Sequence, residues 1–401
     1  MYSRILKRII FNLISSLLFP LRFIVKKDDV IIFQSRSFQS YCDNTKFLYE
    51  HFSENTNISA YWVTNNVEIK KYINSRGWKY ISWHNPLKML WVSLKTKIVV
   101  DNGDSFFNFF GISNSKSVVK ITCSHGSGPK VTISRDISVK SSIQQIENMN
   151  KFDYVNFTSD YCSDLIGKKM YFLPNHKIIN FGYPRCDNFL KDKHVEKAYA
   201  IKQVYQSLVG SHNCQSKIIL YTPTWRPYAY DFPLQELKDF SFTEFNNWLK
   251  SNDLTFFYTV HTNLIPSNMP NNLDRFIYID PIKFPLFDIN DFMLEVDILI
   301  NDYSTTSTDF SLLKRPQLFY MPDYDKYKSI KGFQDDYREL LPGKEIATYD
   351  ELKAGLLKAS VSPKTFIADF QNTQFKLQSK YYDIKLKHST LELSNFMINH
   401  L

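Results

Sequence analysis

The stretch DILINDYSTTSTDFSLLKRPQLFYMPDYDKYKSIK, Asp297 to Lys331, decides how the rest of the chain is read. Ile298, Leu299 and Ile300 form an apolar run suited to a strand buried on both faces. Asn301 to Thr306 follow with side-chain oxygens that cap the unpaired N–H groups of a helix start, where an anionic ligand is also favoured. The pattern predicts a helix from about Thr305 to Lys314, with Phe310, Leu312 and Leu313 inward, stopping before Pro316; Gln317 to Met321 is the next strand. Strand, polar turn, helix and strand in this order make one unit of a parallel α/β sheet, whose ligands bind at the carboxyl ends of strands. Ser304, Thr305 and Thr306 are therefore a candidate diphosphate cradle, with a plain Ser/Thr-capped helix start as the alternative.

A chain of 401 residues, 44% hydrophobic and 16% aromatic, has material for two domains with buried cores. Its formal charge of +9 favours anionic partners: an acidic membrane surface, phosphorylated substrates or nucleic acid. No RNA-binding or helix-turn-helix signature accompanies the charge, so nucleic acid ranks last. Cys42, Cys123, Cys162, Cys186 and Cys214 are odd in number, scattered and without a CxxC pair, which reads as free thiols in a reducing compartment rather than disulfides or metal ligands.

Residues 4 to 27 are the one candidate membrane segment. Asn12, Ser15, Ser16, Pro20 and Arg22 interrupt the apolar run, while Arg4, Arg8, Asn12, Ser15, Arg22 and Lys26 recur at near-helical spacing. A basic stripe opposite Ile, Leu and Phe is the pattern of a helix lying in the interface of an acidic membrane; a single span or a helix buried against the protein are the alternatives. A cleaved signal peptide fits poorly, because no small-residue cleavage site precedes the strand-like VIIF at Val30.

From Val30 to about Asn180 short apolar runs alternate with helical stretches, the signature of a parallel sheet covered on both faces. The strand VVKITC leads into Ser124-His125-Gly126-Ser127-Gly128-Pro129-Lys130, where a His beside glycines can meet a ligand and Gly126 lets backbone approach a phosphate. Polar surface is the alternative for such a His. Trp83-His84-Asn85-Pro86-Leu87-Lys88 has similar letters but lacks the Gly and precedes the strand KIVVDN, so His84 reads as polar structure at a helix start. In Gly182-Tyr183-Pro184-Arg185, the guanidinium of Arg185 suits a phosphate or carboxylate, and a salt-bridged hinge is the equal alternative. Lys191 to about Gly210 is the expected connector. A second α/β unit opens with IILYTPT, placing Thr224 and Arg226 at a strand's carboxyl end, and FFYTVHTN ends its strand at His261.

These runs resemble, in order, the CDP-glycerol glycerophosphotransferase family of teichoic acid and capsule synthesis. The similarity lies in DYSTTSTDFSLLKRPQLFY with KGF and PG downstream, in the His125 loop after its strand, in GYPRCD, and in YTPTWR. Asn301, Thr305, Lys331, Ser124 and Cys186 depart from the usual letters, and Thr262 follows His261 where the family has Pro. The resemblance implies a GT-B-like α/β fold, two Rossmann-type parallel-sheet domains facing a cleft. The expected division is an amphipathic membrane helix over 1–27, an acceptor-side domain over 28–195, a CDP-donor domain over 196–362, and C-terminal helices over 363–401 returning to the first domain. It also implies transfer of glycerol phosphate or ribitol phosphate from CDP-glycerol or CDP-ribitol to a lipid-linked or polysaccharide acceptor, releasing CMP, on the cytoplasmic face of the membrane. His125 and His261 become the implied catalytic pair. Gly126, Arg185, Thr224, Arg226, Asp302, Ser304, Thr305, Thr306, Asp309 and Lys331 become implied substrate contacts, with no metal site and no cofactor firmly implied. A GT-B glycosyltransferase using a nucleotide sugar and a silent membrane-bound scaffold are the competing readings.

Overall fold

Among the described residues, thirteen short strands, nearly all read from apolar runs in the sequence, assemble into two separate parallel sheets. The computed structural model describes residues 17–18, 20–35, 38, 40–103, 115–131, 133, 138–190, 216–224, 226, 228, 232–259, 273–280, 282–383 and 388–401. Two units emerge: one of Met1–His125, Val139–Asp187 and His388–Leu401, the other of Gly126–Ser138 and Asn188–Lys387.

The first unit holds β1 (Val30–Phe33), β2 (Ser59–Val63), β3 (Lys79–Ile81), β4 (Ile98–Asp101), β5 (Val119–Thr122), β6 (Tyr154–Asn156) and β7 (Ile178–Ile179), in the order β3-β2-β1-β4-β5-β6-β7. Every pairing is parallel. Central β1 is at most 5% exposed, which is why it reads as an unbroken apolar run rather than an alternating one. The helix Asp43–Asn55 covers it, with Tyr49 and Phe52 packing on Phe33 at ring distances of 5.9 and 5.8 Å.

The second unit holds β8 (Lys217–Tyr221), β9 (Leu254–Thr259), β10 (Phe276–Ile279), β11 (Ile298–Asn301), β12 (Gln317–Tyr320) and β13 (Lys344–Ile346), in the order β10-β9-β8-β11-β12-β13. These pairings are parallel as well. Aromatic residues fill one face: Phe256 stacks on Phe276 at 5.0 Å, and Phe232 and Phe245 close around them. Both sheets reverse direction of growth beside their first strand, at β1/β4 and at β8/β11. In open α/β sheets such reversals leave the crevice where ligands bind.

Two expectations change in detail. The helix after β11 spans only Thr306–Ser311, because Lys314 turns into the left-handed region (φ 52°) ahead of Pro316. The return of 363–401 to the first unit is confined to its last helix, Ser389–Ile398, whose first amides, Ser389 and Thr390, donate to the Asp187 carboxylate at 2.8 Å. The helices Pro363–Ala368 and Gln371–Tyr381 stay with the second unit, where Gln374 and Gln378 both donate to the Ser311 carbonyl at 2.6 Å. The connector expected over 191–210 and residues 1–16 of the membrane segment lie outside the described residues. What is described there is a short helix, Leu21–Ile24, with Phe23 and Ile24 about four-fifths exposed. Among the described residues no helix is long and apolar enough to cross a membrane.

Gly343 marks how closely β12 is packed: a Cβ there would lie 2.1 Å from the Gln317 carbonyl oxygen, and backbone cannot yield as a side chain can. Gly343→Ala is expected to destabilise the fold by about 1–3 kcal/mol, read as a lower urea midpoint with an unchanged slope.

Candidate active site

In the first unit, side chains converge on the loop after β5. Ser124 is in the left-handed region (φ 57°), a conformation that a non-glycine residue adopts only when its surroundings enforce it. Asn44 enforces it by donating from Nδ2 to the Ser124 carbonyl at 3.0 Å, and the Ser124 amide donates to Thr122 Oγ1 at 3.2 Å. The bend delivers His125 as an exposed ring beside the end of β4. His125 Nδ1 lies 3.2 Å from the Asn102 carbonyl. A carbonyl can only accept, so Nδ1 carries the proton and Nε2 is the basic nitrogen. Gly103 makes room: its φ is 141°, and a Cβ on it would sit 2.8 Å from Nδ1.

Asn102 is itself fastened from both sides. Its Oδ1 accepts from the Thr45 amide at 3.1 Å and its Nδ2 donates to Thr45 Oγ1 at 2.8 Å. Arg185, 3% exposed, lies under the same loop. Its Nη1 is 2.5 Å from Asp43 Oδ1 and 3.1 Å from the His125 carbonyl, and its guanidinium covers the Tyr183 ring at 4.5 Å. Asp43, Asn44 and Thr45 were not among the residues singled out from sequence. They read there as an ordinary polar helix start, and only the burial of Asn44 and Thr45, both 0% exposed, marks them as fittings for the loop. The neighbouring Cys123 thiol is pushed well up by burial, with Asp43 and Asp101 adding to the rise and Arg185 opposing it, so it stays protonated.

The second unit gathers its polar residues where β8 and β11 end. Asp302, fully buried, accepts from the Thr224 amide at 2.8 and 3.0 Å and from Arg226 Nη1 at 2.6 Å. Arg226 also donates from Nη2 to Asp323 Oδ1 at 3.0 Å and lies over the Tyr303 ring at 5.1 Å. Burial alone would weaken this guanidinium, yet Asp302 and Asp323 hold it charged, above its ordinary value. Arg226, like Arg185, thus has protein carboxylates for partners. The hydroxyls of Thr222 and Thr224 are buried and have no protein partner among the described residues.

Ser304 and Thr306 share a hydroxyl contact of 3.0 Å at the turn after β11. Gly126 and Gly128, which belong to this unit, lie against it: a Cβ on Gly126 would be 2.8 Å from Thr305 Oγ1, and one on Gly128 would be 2.9 Å from Thr308 Oγ1. Their segment is tied down where the Gln334 amide donates to the Pro129 carbonyl at 2.7 Å and Lys130 bridges to Phe333. Lys331 ends the helix Tyr324–Ile330, immediately before that bridge. Asp309 accepts from the Tyr382 hydroxyl. The structure therefore brings Thr224, Arg226 and Asp302 into one cluster and Ser304, Thr305, Thr306 and Gly126 into another. His261 lies outside the described residues. Among those residues no three His, Cys, Asp or Glu side chains could hold a metal ion.

Known proteins are similar to this chain. The chain is 27% identical over 278 residues to a teichoic acid glycerol-phosphate primase of Bacillus subtilis, covering 66% of this chain and 65% of that protein. It is 27% identical over 344 residues to a teichoic acid poly(glycerol phosphate) polymerase of the same organism, covering 81% of this chain and 43% of that protein. The chain thus spans less than two thirds of the length of these two curated relatives. A solved structure of the wall teichoic acid polymerase TagF is similar with a TM-score of 0.73 at 18% identity, over 99% of this chain and 96% of that one, which is a likeness of fold. The family described as CDP-Glycerol:Poly(glycerophosphate) glycerophosphotransferase matches residues 17–378, and the chain belongs to it.

Proposed function

We propose that this protein transfers a polyol phosphate, glycerol phosphate or ribitol phosphate, from a CDP-activated donor to a hydroxyl of a lipid-linked or polysaccharide acceptor in teichoic acid or capsule-type polymer synthesis. The acceptor oxygen bonds to the donor's polyol-linked phosphorus, the bond from that phosphorus to the CMP oxygen breaks, and CMP leaves with the electron pair. His125 Nε2 takes the acceptor's proton. The observation that carries this reading is the exposed imidazole whose Nδ1 donates to the Asn102 carbonyl, which leaves Nε2 as the ring nitrogen that can accept a proton.

Charge grows on the phosphoryl oxygens and on CMP as the bond breaks, so aimed donors lower the barrier most. Ser304, Thr305 and Thr306 supply hydroxyls for the diphosphate, Thr224 adds another beside Asp302, and Lys331 adds a cation. Gly126 keeps the backbone close to Thr305. Arg226 acts from behind, holding Asp302 and through it the Thr224 amide. His261 keeps the donor-side role that the family resemblance gives it. The protein works on the cytoplasmic face, where a CDP donor is available, with residues 4–27 lying in the membrane interface; the exposed Phe23 and Ile24 beside Lys26 support that placement.

His125→Ala should cost about 10²- to 10⁴-fold in turnover while CDP-glycerol affinity barely changes. His84→Ala, at an exposed ring 3.3 Å from Lys70 Nζ, should be nearly silent in the same CMP-release assay; an equal loss would transfer the role to that motif. Thr305→Val with Thr306→Val keeps shape and removes two hydroxyls. Calorimetry should show CDP-glycerol binding weakened by about 1–3 kcal/mol, and unchanged affinity would reduce the turn to a helix start. Replacing Arg4, Lys7 and Arg8 by Gln should weaken binding to phosphatidylglycerol vesicles, by about 1 kcal/mol per charge at low salt, and leave turnover on a soluble acceptor analogue intact.

A further inference from the structure

Arg185 has the chemistry of a phosphate ligand but not the placement. Its guanidinium is buried, stacked on Tyr183, paired with Asp43, and bonded to the backbone carbonyl of His125 itself. One nitrogen, Nη1, joins the last two contacts, so the Asp43 carboxylate and the His125 peptide are held against a single cationic atom. Asp43 is fixed in turn: its backbone is in the left-handed region (φ 69°), and its Oδ1 also accepts from the Asn44 amide at 2.8 Å. The Asn44 side chain then reaches the Ser124 carbonyl with Nδ2 and takes the Arg185 amide on Oδ1 at 3.3 Å. A closed circuit results, running from Asp43 through Arg185 to His125 and back through Ser124 and Asn44.

We propose that the Asp43–Arg185 ion pair is a clamp that sets both the position and the basicity of His125, with Arg185 acting as a positioning residue and not as a substrate ligand. The proposal rests on the reading of His125 as the general base. Its physical content is a balance of charge. With both partners present, the pair held at the His125 backbone carbonyl presents nearly no net charge to the imidazole. With Arg185 removed, an uncompensated carboxylate favours the imidazolium. With Asp43 neutralised, an uncompensated guanidinium opposes it. Among the described residues, Asp101 and Cys123 also lie by this loop. Asp101 is held by Gln34 and by the Gly103 amide at 2.6 Å, and burial is the largest influence keeping the Cys123 thiol neutral; neither residue is substituted in any variant considered.

The test is the pH dependence of CMP release at saturating CDP-glycerol for the full chain. Arg185→Gln should lower kcat about tenfold or more and move the acidic limb of the profile upward by roughly 1 pH unit, while KM for CDP-glycerol stays put; Asp43→Asn should move the limb downward by a similar amount. The double variant should bring the limb back toward the wild-type position although kcat remains low, because neutrality is restored and the clamp is not. Arg185→Lys keeps the charge and loses the fork, so it should lower kcat with little movement of the limb, and it carries the test together with Asp43→Asn if Arg185→Gln does not fold. Limbs that do not move, or that move the same way in Asp43→Asn and Arg185→Gln, would overturn the clamp. A raised KM with unchanged kcat and limb in Arg185→Gln or Arg185→Lys would overturn it too and return Arg185 to the donor phosphates. Full turnover in His125→Ala is a separate outcome: it removes the base reading, and with it the premise of the clamp.

Discussion

The ion pair between Arg226 and Asp302 is the constraint on which the second unit depends. Both side chains are essentially excluded from water, at 1% and 0% exposure. Two charges in such a place are tolerated because each is met by partners: Asp302 receives the Thr224 amide and one side of the Arg226 fork, and Asp323 takes the other side of the fork and the Tyr303 hydroxyl. Leaving either charge alone would cost about 3–5 kcal/mol, so the ends of β8 and β11 have one permitted arrangement. A buried pair of this kind selects a geometry more than it adds stability. The geometry selected here sets the Ser304–Thr306 turn, because Tyr303 and its stacking partner Tyr327, 4.0 Å away, are locked to the same pair.

The first unit solves the same problem with the same chemistry at its own reversal of strand order. There the pair is Arg185 with Asp43, and its product is the pose of a histidine instead of a hydroxyl turn. In both units the arginine is a fixture of the protein interior. A planar cation with five donors can bind two carboxylates or carbonyls at once, which a lysine ammonium on a flexible stem cannot hold in register. The two fixtures differ in what they leave accessible: an imidazole in one unit and a cluster of hydroxyls in the other.

Much of this was legible beforehand. The buried strands are long apolar runs, so β1, β4, β8, β9 and β11 stand out, whereas β3 and β13 escape notice. Both are three-residue edge strands with one buried residue each, too short for any periodicity to register. The site was legible in part. His125 and the turn at Ser304 are flanked by punctuating residues, glycines in one case and a hydroxyl run in the other, that mark a candidate loop. Asp43, Asn44 and Thr45 are not, because a helix beginning with Asp-Asn-Thr is commonplace and the contacts that distinguish them are made far along the chain. Their partners, Ser124, Asn102 and Arg185, lie 57 to 142 positions away.

Sequence by itself determined the fold class, the position of each central strand and the identity of the residues able to accept a proton or bind a phosphate. These are local properties: burial on both faces demands continuous apolar runs, and the donor and acceptor groups of a side chain are set by its residue type. Only the tertiary structure decided which of the charged candidates face outward and which are held by the protein itself. Arg185 and Arg226 have the same composition as a phosphate ligand, and what separates the two roles is the distance to a carboxylate far along the chain. That distance is set by how the strands pair, and strand pairing is a long-range outcome that no local stretch of residues encodes.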